Sequence, residues 1–247
     1  MVEFSSAAPP RFFFDGPLAP GAEVELPERA ARHAVVLRLR AGDPIELFNG
    51  AGGEYACALS RAARDSMRAR VSAWRDIERE SSIDITLAQG LSGGDRMDYA
   101  VQKATELGVR AILPLATERS VVRLSDERAD RRLAHWRNIV AAACEQCGRN
   151  RLPGVHPVVT LGAFLASADA GAQRLLLTPT GSVSLRELTP AGKFILIAGP
   201  EGGLTEAEEQ RTTHAGFIPV RLGPRVLRTE TAPLAAIAAL QSMWGDA

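Results

Sequence analysis

The chain has 247 residues, 46% of them hydrophobic, and its 29 basic side chains balance 29 acidic ones. That is enough for one large domain, or for a small and a medium one with separate cores. The balance rules out a global field advertising a polyanionic partner, three cysteines rule out a disulfide framework, and no apolar run reaches the roughly 20 residues of a membrane span. A signal-peptide core is also missing, so a cytoplasmic protein without membrane attachment is expected.

Residues 1–10 read as a loose terminus, and Arg11-Phe12-Phe13-Phe14 opens the ordered part. A short strand is expected at 23–26 and a helix carrying His33 at 27–37. Asn49-Gly50-Ala51-Gly52-Gly53 is a hairpin signal between strands at 43–48 and 54–59, and 68–74 alternates as another strand. Several short strands with one helix predict a small β-barrel-like module. Arg11 beside three aromatics suits phosphate contact combined with base stacking. Equally, Phe12 and Phe14 fill the barrel and Arg11 is solvated, while His33 reads as structural.

The charged stretch 75–82 reads as a linker, placing domains at 1–76 and 77–247. Beyond it strands and helices alternate. Strands are expected at 83–89, 111–115, 155–159, 173–178 and 193–198. Helices are expected at 93–107, with Met97, Ala100, Val101, Ala104 and Leu107 on one face, and at 127–147, 161–168 and 184–188. This alternation means a mostly parallel sheet with helices on both faces. From Arg110 to Arg151 nine arginines face five acids, a local excess of four, and only Lys103 and Lys193 are lysines. Arginine suits bidentate phosphate contact, although a genomic preference for arginine codons explains the same bias. Cys144 and Cys147 form a lone CxxC with no second pair or spaced histidine, so they read as two small buried residues and no metal is expected.

The last quarter repeats one plan twice. Phe194–Ala198 is a continuous apolar run, fitting a strand buried on both faces, and Gly199-Pro200-Glu201-Gly202-Gly203 follows it. Thr205 with Glu208 fits a capping box for the next helix. Ile218–Leu222 is again strand-like, Gly223-Pro224 turns the chain, and Thr231 can cap a helix with Pro233 in its first turn. Ligands of open α/β sheets sit beyond the carboxyl ends of the strands, so two such loops side by side predict one pocket walled largely by main-chain amides. GxGxxG, P-loop, HExxH and GxSxG signatures are all absent.

Ile197–Gly203 followed by Leu222–Ala232 resembles the cofactor loops of SPOUT methyltransferases. Arg11-Phe12-Phe13, Leu47–Gly50, Lys103–Gly108, Thr117–Val121 and Glu145–Arg149 narrow the resemblance to the RsmE-like family, over nearly the whole chain. Ala104 stands where a common variant of that family has glycine, a small-for-small change. The resemblance implies an α/β SPOUT domain with a C-terminal trefoil knot, a PUA-like barrel before it, and a homodimer with the active site at the subunit interface. It implies S-adenosyl-L-methionine as cofactor, no metal, and N3 of a uridine in 16S ribosomal RNA of the small subunit, within the assembled particle, as target. The implied cofactor walls are Thr178, Pro179, Gly199, Pro200, Glu201, Gly203, Leu222, Gly223, Val226, Leu227, Thr229 and Ala232. Arg228 is expected to stabilise the uracil oxygens, and Glu230 to orient it or take its proton, or else to bond the loop backbone. Arg11, Arg119, Arg123, Arg149 and Arg151 are the expected RNA contacts, Arg119 alternatively acting beside the target base. Two other readings stand: a SPOUT enzyme acting on a ribose 2′-hydroxyl or a purine nitrogen, and a non-catalytic RNA-binding assembly module.

Overall fold

Strands with one apolar face and strands with two divide this chain between two units, Met1–Glu80 with Cys144–Leu152, and Ser81–Ala143 with Pro153–Ala247. The computed structural model describes residues 8–63, 66–120 and 126–247.

In the first unit β1 (Arg11–Phe13), β2 (Glu23–Glu25), β3 (Pro44–Phe48), β4 (Glu54–Ala63) and β5 (Ser66–Arg75) form one sheet in the order β1-β3-β4-β5-β2. Only the β1–β3 pairing is parallel. Period-two patterning is clearest in β5, where Met67, Ala69 and Val71 are buried and Arg68 and Arg70 point out. Those side chains join Phe12, Ile45, Leu47 and Leu59 in a core that α1 (Glu28–Val36) closes with Ala30 and Ala34. Gly50, Gly52 and Gly53 take φ of 82°, 102° and 65° in the β3–β4 turn, which side chains with a Cβ adopt only at a cost.

The second unit contains β6 (Asp84–Gly90), α2 (Gly94–Glu106), β7 (Ala111–Ala116), α3 (Asp126–Cys147), β8 (Gly154–Val155), β9 (Val159–Thr160), α4 (Leu161–Ser167), β10 (Gln173–Leu177), β11 (Val183–Ser184), β12 (Lys193–Ala198), α5 (Glu206–His214), β13 (Ile218–Arg221) and α6 (Thr231–Trp244). The last turn of α3 groups with the first unit. The sheet runs β11-β13-β10-β12-β6-β7-β8, with β9 also on β7, and every pairing is parallel. Central strand β12 is buried from Phe194 to Ala198, as a strand covered on both faces must be. Phe194 is stacked on Trp244 of α6, with ring centroids 5.4 Å apart.

Three local expectations are corrected. The strand expected at 155–159 is two bridges, β8 and β9, because Pro157 between them has no N–H to give a ladder. The helix expected at 184–188 is one 3-10 turn, Leu185–Glu187, closed by a capping box from Ser184 and Glu187. Thr231 is the first residue of α6 and Glu230 holds the N-cap position without a side-chain capping bond.

Register positions the site. Val220 pairs with Leu177, Leu177 with Ala198, and Ala198 with Gln89, so β13, β10, β12 and β6 end abreast. The loops that follow therefore leave from one edge of the sheet.

Candidate functional site

Two glycine positions make that edge possible. A Cβ on Gly90, at the end of β6, would lie 2.5 Å from the Pro200 nitrogen, and one on Gly181 would lie 2.5 Å from the Val220 carbonyl carbon. Only glycine lets backbone approach backbone so closely. Gly203 (φ 67°) and Gly223 (φ 88°) turn the two loops themselves.

The loop after β12 (199–205) and the loop after β13 (222–230) are joined through Thr229. Its hydroxyl donates to the Gly199 carbonyl at 2.6 Å and accepts from Gln89 Nε2 at 3.1 Å. Ser92 Oγ stands 3.3 Å from the same hydroxyl and 3.1 Å from the Gly90 carbonyl. Gln89 is fully buried, so this network sits beneath the loops, where an unpaired group is costly.

Between the loops lies a cavity of about 520 Å³, within the size range of small-molecule sites. Around it the structure brings Thr178, Pro179, Gly199, Pro200, Glu201, Gly203, Leu222, Gly223, Val226, Leu227, Thr229 and Ala232, together with Arg228 and Glu230. Val226 is 79% exposed and so stands at the rim. Arg228 is exposed, and its side chain makes no hydrogen bond or ion pair among the described residues.

The cavity also has walls that the sequence did not single out, notably Arg96, Glu209, Arg221 and Arg225. Arg96 lies in the first turn of α2, donates to Glu201 at 2.9 Å and stands 3.9 Å from Glu230. Burial alone would raise the Glu201 carboxyl. The Gly93 amide, its own amide and Arg96 outweigh that and hold it below the usual range. Glu230 Oε2 is buried without a hydrogen-bond partner, so the reading that Glu230 bonds the loop backbone finds no contact at that oxygen.

The arginines expected to meet RNA divide sharply. Arg119 is exposed, and it donates to the carbonyls of Gly202 and Leu204 at 2.9 and 3.2 Å, bracing the loop after β12. The Arg151 side chain is 42% exposed and stands 3.4 Å from Glu78. Arg123 lies outside the described residues. Arg11 and Arg149 are internal ion-pair partners of the first unit. Arg11 reaches Glu54 at 2.5 Å, Glu46 at 3.2 Å and Asn150 Oδ1 at 2.6 Å. Burial raises the Glu54 carboxyl, but Arg11 and Arg79 together bring it below its usual value. Arg149 is 3% exposed and meets both Glu80 oxygens, at 3.0 and 2.6 Å. Glu46, Glu54 and Glu80 come from other segments, and no local signal pairs them with these arginines. Cys144 is buried and Cys147 half-buried; the hydrogen bond to Cys147 and then burial push the Cys144 thiol up, away from reactivity. Among the described residues no helix is long and apolar enough to cross a membrane, and no cluster of three or more His, Cys, Asp or Glu could hold a metal ion.

Residues 79–241 match the model of an RNA methyltransferase domain, and residues 26–72 that of the RNA methyltransferase PUA domain. The chain is 36% identical over 216 residues to ribosomal RNA small subunit methyltransferase E of Bacillus subtilis, covering 83% of this chain and 84% of that one. Among solved structures it is similar to the Neisseria gonorrhoeae protein of the same name bound to S-adenosyl methionine. The TM-score is 0.90 and the identity 43%, over 96% of this chain and 99% of that one. It is also similar to a methyltransferase of Legionella pneumophila holding the same cofactor, with TM-score 0.94 and 39% identity, over 98% of this chain and 100% of that one.

Proposed function

Because the chain belongs to the ribosomal RNA small subunit methyltransferase E family, we propose that it transfers a methyl group from S-adenosylmethionine to N3 of a uridine in 16S ribosomal RNA. The observation that carries this reading is the cavity between two glycine loops, with Arg228 and Glu230 on its wall. The residues present suit that cofactor. Gly199, Gly202, Gly203 and Gly223 put main-chain donors and acceptors on the cavity wall, beside the apolar Leu222, Val226 and Leu227.

Bound there, the cofactor supplies a sulfonium-activated methyl and needs no metal. The chain's own residues must then prepare the acceptor, since uridine N3 carries a proton at neutral pH. Glu230, whose Oε2 is buried without a hydrogen-bond partner, takes the N3 proton. Arg228, with no partner among the described residues, meets the charge that develops on the uracil oxygens. Thr229 holds the two loops in register through Gly199 and Gln89.

The reading extends to a SPOUT-type trefoil knot at the C-terminal end, a homodimer with the active site at its interface, the domain pair 1–76 and 77–247, the assembled small subunit as substrate, and a cytoplasmic location. Arg119, Arg123 and Arg151 remain the proposed RNA contacts. Nucleoside mass spectrometry of ribosomal RNA from a strain lacking this protein tests the function. Loss of N3-methyluridine, restored by the intact gene, is the expected result. Loss of a ribose-methylated or purine-methylated nucleoside would move the assignment to another target, and an unchanged profile would leave a non-catalytic assembly role.

A further inference from the structure

Three carboxylates line the cavity, and they are not equivalent. Glu201 and Glu230 both have the Arg96 guanidinium within 3.9 Å. Glu209, on α5, has a single side-chain partner among the described residues: Thr178 Oγ1 donates to its Oε1 at 3.1 Å. The Thr178 hydroxyl also receives the Thr180 amide at 3.4 Å, and the Thr178 amide donates to the Val220 carbonyl at 3.1 Å. Thr178 is therefore engaged in holding Glu209, and the second carboxylate oxygen is left for a ligand.

Its place in the sheet says which part of the ligand. Thr178 follows β10, whereas Arg96 belongs to the helix after β6, and β12 separates those two strands. At roughly 4.8 Å per strand the two ends of the cavity are on the order of 10 Å apart. The reacting methyl belongs at the Arg228–Glu230 end. The Glu209 end is walled by Leu177 and by fully buried Val220, apolar side chains that suit a base or the face of a sugar rather than a charged amino-acid tail.

We infer that Glu209 is a specificity-determining residue for the cofactor, its carboxylate accepting a hydrogen bond from an O–H or N–H donor of the nucleoside half while Thr178 fixes its orientation. The inference rests on the methyltransferase reading and deepens it. A carboxylate acceptor favours ligands that offer it a donor, because a hydrogen bond to a charged group is stronger than one between neutral groups.

Calorimetric titration tests this with two probes, S-adenosylhomocysteine, which has both halves, and 5′-methylthioadenosine, which lacks the amino-acid tail. Glu209→Ala should weaken both by a similar factor, about tenfold for one charge-assisted hydrogen bond. Glu209→Gln keeps an acceptor for Thr178 and should weaken both by a smaller factor, about threefold, which keeps the test open where the alanine variant folds poorly. Affinities within twofold of the unmodified chain for both probes overturn the inference, and so does a loss confined to S-adenosylhomocysteine. If the unmodified chain binds neither probe, the methyltransferase reading falls along with the role of Glu209.

Discussion

Thr229→Val is the sharpest test of how this site is held together. The substitution keeps the shape of the side chain and removes one hydroxyl. That hydroxyl has a single proton, and the 2.6 Å contact with the Gly199 carbonyl uses it; its lone pairs take Gln89 Nε2 at 3.1 Å. Without it Gln89 Nε2 keeps weaker contacts, 3.2 Å to the Gly90 carbonyl and 3.4 Å to that of Gly199. The Gly199 carbonyl loses its short donor beneath the loop. Losing both bonds of the hydroxyl costs about 1–3 kcal/mol, at about 0.5–1.5 kcal/mol for each hydrogen bond. The two loops can relieve that cost by separating, so the loss should fall on cofactor affinity more than on global stability. At 1.4 kcal/mol per tenfold, S-adenosylhomocysteine should bind about 5- to 150-fold more weakly. The melting temperature should move little, and Thr229→Ser should recover most of the affinity. Calorimetry on the three proteins decides it. A valine variant that binds within twofold of the original would show that the loops are aligned by something other than this bridge.

Arg11→Ala should destabilise the first unit by about 3 kcal/mol, at the low end for a broken buried ion pair because Arg79 still stands 3.2 Å from Glu54, and denaturant melts would measure it. The same variant should leave the salt dependence of RNA binding unchanged; a slope smaller by about one unit would return Arg11 to the phosphate contacts. Arg228→Ala should lower the single-turnover methylation rate by about 10²- to 10³-fold with S-adenosylhomocysteine affinity unchanged, the pattern of a group that acts on the developing charge. Glu54 has its carboxyl held below the ordinary 4.5, so its contribution to stability is fully present above that value and fades as pH falls through the lower folded value. Urea midpoints measured from pH 6 down to about 3 should therefore fall less steeply for Glu54→Gln, already destabilised at neutral pH, than for the unmodified chain.

What the sequence discloses about this site follows from the range of the interactions involved. Gly203 and Gly223 are legible because positive φ is a local demand, and the apolar run 194–198 is legible because burial on both faces writes itself as continuous hydrophobicity. Both signals lie within ten residues of the feature they report, so the two loops and their pocket can be placed without coordinates. Gly90 and Gly181 give no such signal. Their φ values are ordinary, and each is required only because the chain around Pro200 or Val220 arrives 2.5 Å from where a Cβ would be. Arg96 and Glu209 sit on helices whose polar residues look solvated until the fold turns one of each toward the cavity.

The arginines carry the argument furthest. Arg11, Arg149 and Arg228 are indistinguishable as letters, and the local excess of positive charge over 110–151 covers only Arg149. Pairing separates them: Glu54 and Glu46 claim Arg11, Glu80 claims Arg149, and no acid among the described residues claims Arg228. A buried guanidinium needs a carboxylate from elsewhere in the chain to offset its desolvation, so the arginines left without one are those at which an external anion can be met. By that criterion Arg228 is open to an external anion, whereas Arg11 and Arg149 are already engaged. Arg225 stands exposed beside it on the loop after β13, and both line the cavity.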